Sequence, residues 1–228
     1  MGGVLLLTAW GQPAERLEKL QEALRWEAER VPWMAERVLA PQPLSLPLTV
    51  WELAAMARVR SLAQQGRWED SRAEAREFLQ RYTLSTLRPW MWTALGIAEF
   101  VLREFPRAEA AWDSARTTLP TGGLLREQLE YWRLLAILQQ GHYQRAEHEL
   151  QQYAERYPAA ENADEALWLR ALVLESLGNI AQAAQLLELL RQRYPCRNTL
   201  AQALARQAYL RLLERRAVEA LELLEHLQ

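Results

Sequence analysis

A chain of 228 residues with half its side chains apolar can bury a sizeable core, which excludes a disordered segment. Its formal charge of −2 excludes the basic surface that nucleic acid demands, and no stretch approaches the roughly 18 apolar residues of a membrane-spanning helix. Cys196 stands alone, which excludes an internal disulfide.

Ala, Leu, Glu, Gln and Arg dominate while Val, Ile and Thr are scarce, so the expected class is all-α. Lys19 is the sole lysine, and arginine carries nearly all the positive charge. Arginine suits surface ion-pair networks, although a GC-rich or heat-adapted source would produce the same bias.

The N-terminal segment, residues 1–40, opens with an apolar run to Gly11. It reads either as a truncated secretory signal, with Ala9 and Gly11 as small cleavage-site residues, or as an ordinary first helix. Residues 14–31 place Leu17, Leu20, Leu24 and Val31 at helical spacing, an amphipathic helix expected to cap the first repeat pair, with a separate partner-binding helix as the alternative. Residues 41–49 are a Pro-rich connector.

From residue 50 to 228 one pattern repeats five times: a helix, a tight turn, an aromatic or apolar residue, and a small residue three later. The turns are Gly66-Arg67-Trp68, Arg103-Glu104-Phe105, Gly141-His142-Tyr143, Gly178-Asn179-Ile180 and Arg215-Arg216-Ala217. The small residues Ser71, Ala108, Ala146, Ala183 and Ala220 are spaced by 37, 38, 37 and 37. Thr83, Pro120, Pro158 and Pro195 follow the first four by 12 residues, and proline ends a helix. The expected pairs are 51–65 with 68–82, 89–103 with 105–119, 125–140 with 143–157, 161–177 with 180–194, and 198–214 with 216–227. A turn glycine supplies the left-handed backbone, and a small residue lets the paired helices approach closely.

Trp92-Thr93-Ala94-Leu95-Gly96 followed by Phe105, Ala108 and Pro120 resembles the tetratricopeptide repeat family. So does Ala171 to Pro195, with Leu177-Gly178-Asn179-Ile180 and Ala183. The 37-residue period and the Tyr157-Pro158 and Tyr194-Pro195 endings resemble the repeats of bacterial cell-envelope members: the Tol–Pal-associated coordinator and the outer-membrane assembly lipoprotein. The absence of a cysteine near the start departs from the lipoprotein. The resemblance implies a right-handed superhelical solenoid of about five repeats, with a concave groove lined by the first helix of each pair. By the family's register, Trp90, Thr93, Tyr131, Leu135, Trp168, Leu172 and Tyr209 are groove candidates. Arg133 and Arg170 are candidates to pair with an acidic group of a ligand. Trp68 and Trp92 are expected in the core. The last helix leaves Val218, Leu221 and Leu224 for an end interface, with another chain or a second copy.

Catalytic material is thin. His142 and His148 are six residues apart, share no helical face and read as surface histidines; Cys196 has no histidine nearby in sequence. No metal-ligand spacing, phosphate loop or nucleophile elbow occurs, so no enzyme and no cofactor are expected. The leading expectation is a non-catalytic scaffold or adaptor holding a peptide or helix of a partner protein in its groove. The alternative is a structural subunit of a larger, membrane-associated complex, docking through its ends or convex face. A helical enzyme or ligand sensor would need a closed polar pocket with perturbed titrating groups. The envelope resemblance favours the periplasm, with the cytoplasm as the alternative.

Overall fold

Each expected turn is built from the same two backbone hydrogen bonds. The amide of the turn residue donates to the carbonyl three residues back, and the next amide donates to the carbonyl five back. The pairs are Gly66 to Ala63 with Arg67 to Leu62, Arg103 to Phe100 with Glu104 to Glu99, and Gly141 to Leu138 with His142 to Ile137. Gly178 to Glu175 with Asn179 to Leu174, and Arg215 to Leu212 with Arg216 to Arg211, complete the series. These bonds satisfy carbonyls that the helix end would leave bare, and they require a left-handed residue at the turn. The three glycines have φ of 72°, 77° and 87°. Arg103 and Arg215 adopt the same conformation, at 63° and 62°, despite their side chains.

The computed structural model describes residues 50–119, 123–195, 197, 199–213 and 215–225, with Glu18, Gln21, Glu22, Arg25, Glu29 and Arg30 before them. The signal-like residues 1–11, the connector 41–49, Pro120 and Cys196 lie outside the described residues, as does most of the capping segment 14–31. Ten helices run from residue 50 onwards among the described residues, with no strand. They are α1 (Val50–Gln64), α2 (Trp68–Arg81), α3 (Arg88–Val101), α4 (Phe105–Thr118), α5 (Leu124–Gln139), α6 (Tyr143–Arg156), α7 (Ala163–Ser176), α8 (Ile180–Arg193), α9 (Thr199–Leu213) and α10 (Ala217–Glu225). The boundaries fall within a few residues of those expected.

The chain divides into two compact units, residues 24–142 and residues 143–228 together with 1–23. In the first, α1 packs on α2, α2 on α3, α3 on α4 and α4 on α5. Its centre is aromatic. Trp112 and Trp132 are fully buried with ring centroids 6.0 Å apart, and Phe100 lies 5.7 Å from Trp112. Trp112 sits against Gly96, where a side chain would overlap the indole, and its Nε1 donates to the Thr93 carbonyl at 3.3 Å. The aromatic centre corrects one expectation: Trp68 and Trp92 are only half-buried, and the middle of the unit belongs to Trp112 and Trp132.

In the second unit, α7 packs on α6 and α8, and α9 on α8 and α10. Leu167, Ala171, Leu187, Leu190, Ala203 and Leu210 form its core, with Trp168 and Tyr209 packed at the edge. The small residues expected at helix crossings are closed off throughout: Ser71, Ala108, Ala146, Ala183 and Ala220 are all buried.

Candidate partner-binding surface

The polar contacts between successive pairs repeat as regularly as the turns. In the first unit Arg72 and Arg76 of α2 pair with the buried Glu99 of α3, and Asp113 of α4 accepts from Arg133 of α5 at 2.9 Å. In the second, Glu147 of α6 accepts from Arg170 of α7 at 2.8 Å, joined by Gln151 at 2.9 Å. Arg133 and Arg170 therefore join a first helix to the preceding second helix. Each has a carboxylate of the chain beside it, which partly offsets the charge that a ligand's acidic group would meet.

The helix ends are tied in the same fashion. Arg88 donates to the Leu79 carbonyl at 2.6 Å and the Tyr82 carbonyl at 3.3 Å, and Arg126 donates to the Arg116 carbonyl. A fork of donors on a planar group suits carbonyls left bare at a helix C-terminus. Each Arg-Tyr pair that closes a second helix stacks: Arg81 on Tyr82, Arg156 on Tyr157 and Arg193 on Tyr194, at 5.6, 5.9 and 5.8 Å. The Tyr194 hydroxyl then donates to the Pro158 carbonyl at 2.7 Å, joining one Tyr-Pro ending to the one before it. Burial pushes the Tyr194 phenol above its ordinary value of 10.

Among the groove candidates, exposure separates two groups. Thr93, Tyr131, Leu135 and Leu172 are at most 1% exposed and present no surface to a partner in this conformation. Trp90, Trp168 and Tyr209 are half-buried, each showing part of an aromatic ring. Tyr209 carries the Arg206 guanidinium over its ring at 4.7 Å. The spacing of the first helices is legible in the sequence, but the depth of each position is not, because depth depends on what covers the helix.

Apolar surface also collects on the last helices. Val218 is 70% exposed and Leu221 62%, three residues apart on one face of α10, with Leu224 and Leu212 also exposed. His142 and His148 are exposed, and His148 shares a hydrogen bond with Gln152. No cluster of three potential metal ligands occurs among the described residues. No described helix is long and apolar enough to cross a membrane. The strongest titration shift is structural: Arg191, with Gln192 and Gln207, holds the Glu188 carboxyl at about 2 against partial burial.

Residues 165–195 match the family model described as a tetratricopeptide repeat. No curated protein matches the chain in sequence. Solved structures match in fold. MamA, residues 41 to the end, from Desulfovibrio magneticus RS-1, is 14% identical with a TM-score of 0.63, covering 78% of this chain and 94% of that one. A double mutant of MamA from RS-1, also 14% identical, gives 0.64 and covers 79% and 94%. YrrB, described as a TPR protein with an unusual peptide-binding site, is 17% identical with a TM-score of 0.54, covering 74% and 80%. At such identities the likeness carries the fold alone. Five turns of one construction, small residues at every crossing and the matched segment 165–195 agree: this is an all-α chain with the fold of tetratricopeptide-repeat structures, and residues 165–195 match a tetratricopeptide repeat.

Proposed function

We propose that the chain is a non-catalytic scaffold that holds a peptide or helix of a partner protein against the first helices of its pairs. The observation that carries this reading is the half-buried aromatic residues at register positions that line the family's groove, Trp168 and Tyr209 in one unit and, taken by itself, Trp90 in the other. Aromatic anchors in a rigid helical frame supply large contact area at small entropic cost. The peptide-binding site in the description of YrrB supports the same reading. A setting in the bacterial envelope is part of the proposal, resting on the long period and the Tyr-Pro endings.

The test is affinity capture from native extract with the full chain beside a Trp90/Trp168/Tyr209→Ala variant of unchanged helicity. Capture of a partner by the first and not the second supports the groove. Equal capture of one large assembly by both supports a second reading, a structural subunit docking through its end. The exposed Val218, Leu221 and Leu224 favour that second reading. It predicts that Leu221→Asp abolishes the association, including any self-association seen by light scattering.

A further inference from the structure

Counting back from the left-handed turn residue puts the first helices of all five pairs in one register. Twelve residues before the turn stand Ala54, Met91, Leu129, Ala166 and Ala203; the last four are buried and Ala54 is exposed. Five residues before it stand Ser61, Ala98, Ala136, Val173 and Leu210, and again only the residue of α1 is exposed. Helices α3, α5, α7 and α9 each lie on the second helix of the pair before them. In α1 the corresponding side is open: Trp51, Ala54, Ala57, Arg58 and Ser61 share one face and all are exposed.

The second helices show the complementary case. Four residues after the small residue at the crossing, Ala75, Trp112, Leu150 and Leu187 are fully buried, whereas Leu224 of α10 is 39% exposed. One residue after the crossing, Arg72, Glu109 and Glu147 reach Glu99, Gln140 and Arg170 of the following pair; Leu221 stands there in α10. Five residues after it, Arg76, Asp113, Gln151 and Glu188 bond the following first helix at Glu99, Arg133, Arg170 and Gln207. Glu225 holds that place in α10 and is exposed. Arg133, Arg170 and Gln207 stand eight residues before their turns, and Arg58 stands there in α1. It touches Glu74 of its own pair at 2.8 Å, and its side chain remains 70% exposed.

We propose that α10 of one copy of this chain seats on α1 of another, Leu221 and Leu224 packing over Ala54, Ala57 and Ser61 while Glu225 meets Arg58. α10 exposes the positions by which second helices receive a first helix, and α1 exposes the positions by which first helices are received. Each face is open in its own compact unit. Size and charge agree as well: branched side chains face small ones, and a carboxylate faces a guanidinium. The contact is heterologous, so each added copy presents a fresh face until a ring closes. The proposal rests on the end-docking reading above, whose partner it names as a second copy, and it is independent of the groove.

The experiment measures the mass of the purified full chain by light scattering as its concentration is raised, beside Ala54→Asp and Leu221→Asp variants. Both sites are exposed, and circular dichroism checks that each variant keeps its helicity; Ser61→Glu and Leu224→Glu replace either one that does not. The unaltered chain is expected to rise above the monomer mass, and each variant alone to associate at least ~10-fold more weakly. An equimolar mixture of the two variants should form a dimer and nothing larger, because each retains one competent face. A monomeric unaltered chain, an Ala54→Asp variant that associates as before, or a mixture that stays monomeric would each overturn the proposal. The second of these would mean that α10 pairs with itself. End docking on a different protein would survive a monomeric result, since its own evidence is loss of the captured assembly on Leu221→Asp.

Discussion

Gly96 has no room for a methyl group. A Cβ there would run into the Trp112 indole, which is fully buried and cannot swing away. Gly96→Ala is therefore expected to destabilise by about 1–3 kcal/mol, measured by urea unfolding; a neutral result would mean that the indole relaxes freely. Arg206 presents another residue-scale case. Its guanidinium meets the buried Glu175 carboxylate at 2.9 Å, with 1% of the Glu175 side chain exposed. Arg206→Met removes the guanidinium from that buried charge and should cost about 3–5 kcal/mol, while adding Glu175→Leu should recover most of the loss. Glu188 gives a pH dependence. Arg191 lowers its pKa from 4.5 to about 2, so its contribution is complete above 4.5 and is lost as the pH falls towards 2. Both side chains are 38% exposed, which limits the effect to about 0.5 kcal/mol. Glu188→Gln should remove that part of the acid sensitivity between pH 4.5 and 2, as read from unfolding midpoints across the range.

At the scale of the element, turn and crossing make opposite demands on side-chain size. Arg103 reproduces the glycine conformation at φ 63° without the freedom of glycine. Arg103→Gly should stabilise by about 0.5–1 kcal/mol, and Arg103→Ala should not. The crossings respond to bulk. Ala146 and Ala183 are fully buried whereas Ala159 is exposed, so leucine at either of the first two should cost about 1–3 kcal/mol and leucine at 159 almost nothing. Equal effects at all three in thermal melts would contradict the packing. The turns and crossings were legible in the sequence because each depends on a local rule repeated every 37 or 38 residues. The roles of Arg133 and Arg170 were not, since their partners Asp113 and Glu147 lie 20 and 23 residues away. Only packing decides that such distant groups meet.

For the whole molecule, a chain built of repeats holds most contacts between neighbours, so losing its last pair should leave the rest helical. Deletion of residues 196–228 should preserve helicity per residue while lowering the unfolding midpoint. The lowered midpoint follows because Glu175 loses Arg206 and Asp164 loses the Thr199 hydroxyl at 2.8 Å. Collapse of all helical signal would instead mean a single cooperative block. The sequence by itself determined the all-α class, the period, the turn positions and the small residue at each crossing, because these are set by backbone sterics and near neighbours along the chain. Only the tertiary structure decided that Trp112 and Trp132, rather than Trp68 and Trp92, form the aromatic centre of their unit. It alone showed that Tyr131 and Leu135 are buried while Trp90, Trp168 and Tyr209 keep part of their rings in solvent. Register tells which way a side chain points, but burial depends on what is packed on top of it, and that information is spread over the whole chain.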